Sequence, residues 1–363
     1  MSIKLISFYL PQFHEIPENN DAWGNGFTEW TNVKKSKPLF LGHHQPRIPQ
    51  NGNYYNLLEK KTLLWQAKLA KEAELYGFCF YHYWFQGRMV LEKPIEILKK
   101  NKDININYCF CWANEPWTKT WHGAGGTKEI LIAQNYGVEE EWEQHYQYFK
   151  VYFEDERYIK NQNRPVVLIY RLRNIPRFND MIRYWNKRAI EDGYEGVFII
   201  SMNVCREHVE TSKWVNGSVD FEPNKTKSEL HTMGTKWKPK EKGSILWNRF
   251  FMKAIQYDVL YKKMLEVPHK KNQYRTVFVD YDDSPRRGTR AVITHGSTPK
   301  KFGKYLKKTI EKSVEEQNEY VFVNAWNEWG EGNYLEPDER HGKAYLKQIR
   351  NVVNKRTSLS KRS

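Results

Sequence analysis

Glu328 and Glu331 stand three residues apart in Ala325-Trp326-Asn327-Glu328-Trp329-Gly330-Glu331-Gly332, directly after the apolar run 320–323. Two carboxylates framed by Trp and Gly, where a buried strand would open into a loop, suit chemistry at the anomeric carbon of a sugar. One group moves protons, the other stabilises or attacks, and a flat ring takes the sugar face. A helix-starting turn with two solvated Glu would leave both Trp exposed to no purpose, so the catalytic reading is preferred. A general acid that keeps its proton near neutral pH needs a raised pKa, which apolar Trp surroundings would supply. A carboxyl separation of about 5–5.5 Å would suit direct attack, and about 6.5–9.5 Å an intervening water.

Such a pair needs a scaffold, and the chain offers a repeating one. Short β-rich apolar runs occur at 3–9, 77–83, 106–112, 165–170, 196–201, 218–221, 275–280 and 320–325. Helical patterns lie between them at 59–76, 91–100, 139–153, 179–192, 247–265 and 299–317, with a last one at about 340–353 and a short one at 207–214. Near-continuous apolar strands alternating with helices indicate a parallel sheet covered on its outside. Eight such repeats predict a single α/β domain, a (β/α)₈ TIM barrel over residues 1–355, with a basic flexible tail at 356–363. No Gly-x-Gly-x-x-Gly follows the first run and no Walker-type loop is present, which disfavours a nucleotide-binding sheet. Long loops follow the first strand (10–58) and the third (113–138), and loops of that length are usually functional.

In a barrel the working residues sit just after the strands, and unusual residues gather there. Run one is followed by Gln12, His14, Trp23, Glu29 and Trp30; run two ends in His82, Tyr83 and Trp84. Run three gives Trp112-Ala113-Asn114-Glu115-Pro116-Trp117, then Trp121 and His122. Tyr170-Arg171, Asn203 and Phe221-Glu222-Pro223 follow the next three. Run seven gives Asp280-Tyr281-Asp282-Asp283 with Arg286 and Arg287. Glu328, Glu331 and Glu115 are the candidate catalytic carboxylates. Trp30, Trp84, Trp112, Trp326 and Trp329 are candidates for sugar stacking. His14, Glu29, Tyr83, Asn114, Asp283, Arg286 and Asn327 are candidates for binding hydroxyls or anionic groups. Each has a plainer reading: a buried hydrogen-bonded His, a Trp that packs a loop, an Arg that pairs with a neighbouring Asp.

The formal net charge of +15, from 58 Lys+Arg against 43 Asp+Glu, favours anionic partners such as phosphorylated sugars, acidic glycans or a negatively charged membrane face. The excess is spread over Lys-rich helical faces, and the aromatics cluster with acids rather than with Lys and Arg, which ranks nucleic acid last. The four Cys show no metal or disulfide spacing, and no cofactor or metal is expected. The N-terminus lacks a signal-peptide pattern and no run approaches the ~20 apolar residues of a spanning helix. The expected setting is cytoplasmic, with peripheral attachment to an anionic membrane surface.

Four motifs resemble one family: Tyr9-Leu10-Pro11-Gln12-Phe13-His14, Gly26-Phe27-Thr28-Glu29-Trp30-Thr31-Asn32-Val33, Trp112-Ala113-Asn114-Glu115, and Trp326-Asn327-Glu328-Trp329-Gly330-Glu331-Gly332. They look like the signatures of the WbsX-like proteins, grouped with the domain resembling glycoside hydrolase family 99. The resemblance spans about 3–353. It implies a (β/α)₈ barrel from bacterial O-antigen or capsule gene clusters, commonly labelled glycosyltransferase. The related hydrolases are endo-acting α-mannosidases with a Glu-x-x-Glu pair. Their first Glu is thought to deprotonate the sugar's own 2-hydroxyl, which attacks the anomeric carbon, and the second acts as general acid and then base. Those roles would fall on Glu328 and Glu331. The hydrolases carry His-x-Glu-Pro where this chain has Ala113-Asn114-Glu115-Pro116, so the subsite contacts differ.

The reading is therefore a carbohydrate-active enzyme that makes or breaks a glycosidic bond in surface polysaccharide assembly, with a carbohydrate as its partner. Two rivals stand beside it. Asp280 and Asp282 form an Asp-x-Asp that would hold a metal and nucleotide-sugar in a metal-dependent glycosyltransferase. A non-catalytic glycan-binding protein would keep the aromatics and lose nothing on replacement of Glu331.

Overall fold

A computed structural model describes residues 3–119, 129–204, 212–232 and 253–360. Eight strands form its centre: β1 (Lys4–Tyr9), β2 (Gly77–Phe85), β3 (Asn107–Trp112), β4 (Arg164–Ile169), β5 (Phe198–Asn203), β6 (Gly217–Asp220), β7 (Gln273–Phe278) and β8 (Tyr320–Asn324). Each pairs in parallel with the next, from Cys79↔Cys109 in β2–β3 to Val277↔Val323 in β7–β8. Ile6↔Phe322 and Phe8↔Cys79 join β1 to both β8 and β2, closing the cylinder. All eight expected strands form, within two residues of their expected starts. A strand covered on both faces must be apolar throughout, and β2 and β8 are buried at every residue.

The barrel interior is aromatic. Phe8 stacks on Phe322 at 5.4 Å and on Tyr81 at 6.0 Å, and meets Phe221 edge-on at 5.5 Å. This plug under the mouth leaves polar chemistry only at the C-terminal ends of the strands. The outer helices sit where their periodicity places them: Lys60–Glu72, Lys93–Lys100, Glu139–Phe153, Phe178–Glu191 and Pro299–Glu315. The last of these begins with Pro299 after Thr298, whose hydroxyl accepts the Lys301 amide.

The expected helix 247–265 is shorter. Residues 247–252 lie outside the described residues, Lys253–Gln256 is a strand parallel to Val292–His295, and the helix is Tyr257–Glu266. Pairing with Val292–His295 satisfies backbone groups that a longer helix would satisfy internally. The short helix expected at 207–214 lies outside the described residues up to 211, and 212–214 is not helical. The C-terminal helix, Ala344–Ser360, runs through the boundary expected at 355.

Among the described residues, both long loops carry elements of their own. The first carries helices Pro17–Trp23 and Glu29–Lys35, and the second a hairpin of Trp117–Thr118 with Ile130–Ile132. Thr28 and Thr31 bond each other's backbone amides in a capping box, which starts the second helix at Glu29. The Glu29 amide donates to the Gln12 carbonyl at 3.1 Å, tying that helix to the chain just after β1.

Candidate active site

Four residues from three separate parts of the chain meet at the mouth of the barrel. Arg286, on the short helix Ser284–Arg287 after β7, donates from Nε to Glu29 Oε1 at 2.8 Å, from Nη2 to Glu328 Oε2 at 2.9 Å and from Nη1 to Glu331 Oε1 at 2.9 Å. Arg286, Glu29 and Glu328 are buried, while the Glu331 side chain keeps 19% of its surface. The planar fork of a guanidinium is what allows three acids to share one cation. The turn between the two glutamates is pinned as well: Asn327–Glu328 pairs antiparallel with Asn333–Tyr334, and the Glu331 carbonyl accepts the Asp282 amide at 2.6 Å.

Charge in this knot is set by burial. Desolvation lifts the Glu328 carboxyl to about 8, against the opposing pull of Arg286 and with Glu331 and Glu29 adding to the rise. Burial also raises Glu29, again opposed by Arg286. Burial and then the charge of Glu328 push the hydroxyls of Tyr81 and Tyr83 upward, so both β2 tyrosines share its surroundings. Arg286 stays a cation: burial opposes its charge, but Glu29, Glu328 and Glu331 outweigh it.

The Glu328 shift has a consequence for stability. Its folded pKa exceeds that of the unfolded chain, so the native state holds a proton that the unfolded state releases above about 4.5. The cost of burying this carboxyl is absent below that pH, grows as pH rises, and is complete above about 8. Glu328→Gln removes it. The variant is expected to melt above the wild type at pH 9, with the margin shrinking toward pH 5; a margin constant with pH would refute the shift.

The other expected residues divide. Asp283 and Tyr83 belong to the cluster's surroundings. Asp283 accepts the Val292 amide at 2.7 Å and faces Arg287 Nε at 3.1 Å. Glu115 is exposed at the rim, accepting from Arg171 Nε at 3.0 Å, and its charge reaches Tyr170, which also feels Glu331. His14 is elsewhere. It lines a separate cavity of about 380 Å³ with Thr31, Lys34 and Tyr54, and burial brings its pKa down to about 4. Trp121 and His122 lie outside the described residues.

The five tryptophans expected to stack a sugar, Trp30, Trp84, Trp112, Trp326 and Trp329, are each less than 5% exposed and packed on other rings, and Trp30 also lines the cavity that holds His14. Trp329 stacks on Tyr334 at 3.7 Å and donates to Glu336 at 2.7 Å; Trp30 donates to the Tyr55 carbonyl at 2.8 Å. Trp84 stacks on His145 at 4.5 Å, Trp112 meets the same His145 edge-on at 4.7 Å, and Trp326 packs on Phe78.

Asn114 and Asn327 are bonded to backbone groups. Asn327 gives Nδ2–H to the Leu10 carbonyl at 2.9 Å and accepts the Leu10 amide at 2.8 Å. Asn114 makes the same pair with Arg171, at 2.7 Å both ways. A buried amide engaged on both edges joins two strand ends and has little left for a sugar.

Asp280 and Asp282 are already engaged by protein donors. Asp280 accepts from Arg47 Nη2 at 2.8 Å and from the Thr294 hydroxyl. Asp282 accepts from His43 Nε2 at 2.8 Å, Gln45 Nε2 at 2.7 Å and the Ser284 amide at 3.0 Å. Burial opposes the Asp282 charge, but His43 and Arg47 outweigh it and hold its pKa at about 2. This ion-paired brace does not present an open metal-binding face.

Sequence reasoning missed Glu336 and Lys227. Glu336 is buried with its pKa raised by burial to about 7, and accepts from Tyr55, Gln66 and Trp329 beneath the glutamate turn. Nothing in Leu335-Glu336-Pro337 marks it in the sequence.

The model of the family described as Glycosyltransferase WbsX matches residues 5–349. Two relatives, both named "Uncharacterized protein WxcX" and from two strains of Xanthomonas campestris pv. campestris, are 32% identical over 355 residues. The match takes 97% of this chain and 50% of theirs, so the chain spans about half the length of the relatives it matches. Among solved structures, the GH99 endo-α-mannosidase from Bacteroides thetaiotaomicron superposes with a TM-score of 0.57 at 14% identity, covering 98% of both chains. A glycoside hydrolase-like protein gives 0.58 at 14% identity, covering 97% of this chain and 94% of that one. At such identity the likeness is one of fold.

Proposed function

We propose, for a chain that belongs to the WbsX glycosyltransferase family, that it makes or breaks a glycosidic bond in the assembly of a bacterial surface polysaccharide, with Glu328 and Glu331 as the working pair. One observation carries the reading: both carboxylates occupy the outer nitrogens of a single buried guanidinium. An acid pair fixed at the mouth of a closed barrel, one member deep and one partly open, suits proton transfer at a glycosidic oxygen. With its pKa near 8, Glu328 carries the proton in the resting site, which favours it as the donor to the leaving oxygen. Glu331, the more open of the two, then faces the anomeric carbon or the 2-hydroxyl. The order that the family resemblance implies is the reverse, with Glu328 as base. Glu29, Tyr83 and Asp283 are the nearest groups for binding hydroxyls, and Glu115 reaches in from the rim.

The substrate is a carbohydrate, supplied on a lipid carrier or as a polymer. Among the described residues no helix is long and apolar enough to cross a membrane. The charge of +15 supports peripheral attachment to an anionic surface from a cytoplasmic position. The occupied Asp280 and Asp282 speak against the metal-dependent alternative.

The test uses the host's own lipid-linked or polymeric glycan with wild type, Glu328→Gln and Glu331→Gln. Chain lengthening means transfer and shortening means hydrolysis, and both variants are expected to lose the reaction. If Glu328 is the proton donor, wild-type turnover declines above pH about 8. Unaltered turnover in both variants would end the proposal and favour a glycan-binding protein.

A further inference from the structure

The most obvious anion-binding group of the site is taken. Each nitrogen of Arg286 already donates to a glutamate, so a phosphate or carboxylate on the substrate must find another cation. Arg287 turns to Asp283 and is two-thirds exposed. Lys225 pairs with Asp220 at 3.0 Å and Glu229 at 3.3 Å, away from the cluster.

Lys227 differs from these. It sits one turn into the helix Asn224–Thr232, which follows β6, and its Nζ lies 3.2 Å from the centroid of the Tyr281 ring. The Tyr281 hydroxyl is 3.3 Å from Asp283, the residue that precedes the helix carrying Arg286. Next to it, the Asp282 amide holds the Glu331 carbonyl. The ammonium therefore stands against the loop that supports the acid cluster. Among the described residues it makes no hydrogen bond and no ion pair. A phenol face attracts a cation from one side only and leaves N–H donors unused. Burial brings the Lys227 pKa down to about 8, and of the acids that oppose this, Asp283 and Glu331 act most strongly. Asp283 and Glu331 favour the charged form of this half-buried ammonium, and its unused N–H donors are what a ligand anion could engage.

We propose that Lys227 is the anion-binding residue of this site, receiving a phosphate or carboxylate carried by the sugar substrate next to Glu331. The inference rests on the reading of the barrel mouth as the sugar site and adds a substrate class to it: the sugar that reaches the glutamates bears a negative group. Two sources share this chemistry, the phosphate of an activated donor and the carboxylate of an acidic sugar.

Calorimetric titration of the intact protein with inorganic pyrophosphate, glucuronate and a neutral methyl glucoside tests this. At least one anion is expected to bind, to weaken about tenfold or more in Lys227→Met, and to recover in Lys227→Arg. The Met variant keeps an apolar stem over Tyr281, and its melting curve reports whether the fold is kept. Binding of the neutral sugar should not depend on residue 227. Preference for pyrophosphate assigns the anion to a donor's leaving group, and preference for glucuronate to an acidic glycan. Failure of both anions to bind the wild type, or equal binding to wild type and both variants, would overturn the proposal. Anion binding that needs Lys227 while Glu331→Gln retains full turnover would fail the catalytic reading alone.

Discussion

Arg286→Met is expected to abolish turnover and to lower the melting temperature by roughly 5 °C at neutral pH. The guanidinium bonds Glu29, Glu328 and Glu331 at once and is the counter-charge of whichever of them is ionised. Without it three acids face one another, two of them buried. Removing one partner of a buried ion pair costs about 3–5 kcal/mol, because the remaining charge keeps its desolvation penalty. In a chain of 363 residues each kcal/mol moves the midpoint by about 1–1.5 °C. The acids would escape by taking up protons, so the deficit should narrow at pH 5. Arg286→Lys separates charge from geometry: an ammonium restores a cation but cannot reach three carboxylates along a planar fork. It should regain part of the stability and little of the activity. A Met variant that melts within about 1 °C of wild type, a change of roughly one kcal/mol on the same scale, would show that the knot is not held by this residue.

How much of this arrangement the sequence discloses follows from what each residue type reports. The eight strands are legible because a parallel barrel buries both faces of each strand, so runs such as Tyr320–Asn324 are apolar at almost every position. That same continuity hides direction: with no alternation, nothing says which side chains of β2 point inward, and Tyr81 went unmarked beside Tyr83. Glu29 and Arg286, 257 residues apart, were both singled out by their place after strands, yet their pairing is a fact of topology. The burial of the tryptophans has a physical reason. Loops as long as 10–58 need an apolar bed, and Trp30 and Trp329, in contact at 5.4 Å, make that bed between two of them. Density of aromatic rings at strand ends is therefore compatible with packing as well as with stacking. Asn114 and Asn327 carry the same lesson, since an amide that hydrogen-bonds a sugar and one that staples a backbone have the same sequence. Lys227 lies in Asn224–Thr232, a polar stretch that reads as a solvated helix face until its neighbour Tyr281 is placed.

Gly330→Ala is expected to cost at least about a hundredfold in turnover, although it adds only a methyl group and changes no charge. Gly330 lies between the two glutamates, and a Cβ there would overlap Glu29 Oε1 and come within 2.7 Å of Arg286 Nε and 2.9 Å of Glu29 Cδ. Its φ lies outside the left-handed region, so the glycine is required by contact and not by backbone conformation. Neither neighbour can give way freely: Arg286 is fixed by three acids, and Glu29 is buried in the first turn of its helix. The turn bearing Glu328 and Glu331 must move instead, and displacement of a catalytic group by about 1 Å is enough for a loss of about 10²-fold. Overpacking of this kind also destabilises by about 1–3 kcal/mol. The cause can be isolated with a double-mutant cycle. Glu29→Ala removes the nearest obstruction, so combined with Gly330→Ala it should be less destabilised than the sum of the two single changes. Strict additivity in melting experiments would mean that Gly330 and Glu29 do not meet, and would break the link by which the helix Glu29–Lys35 holds the acid pair in place.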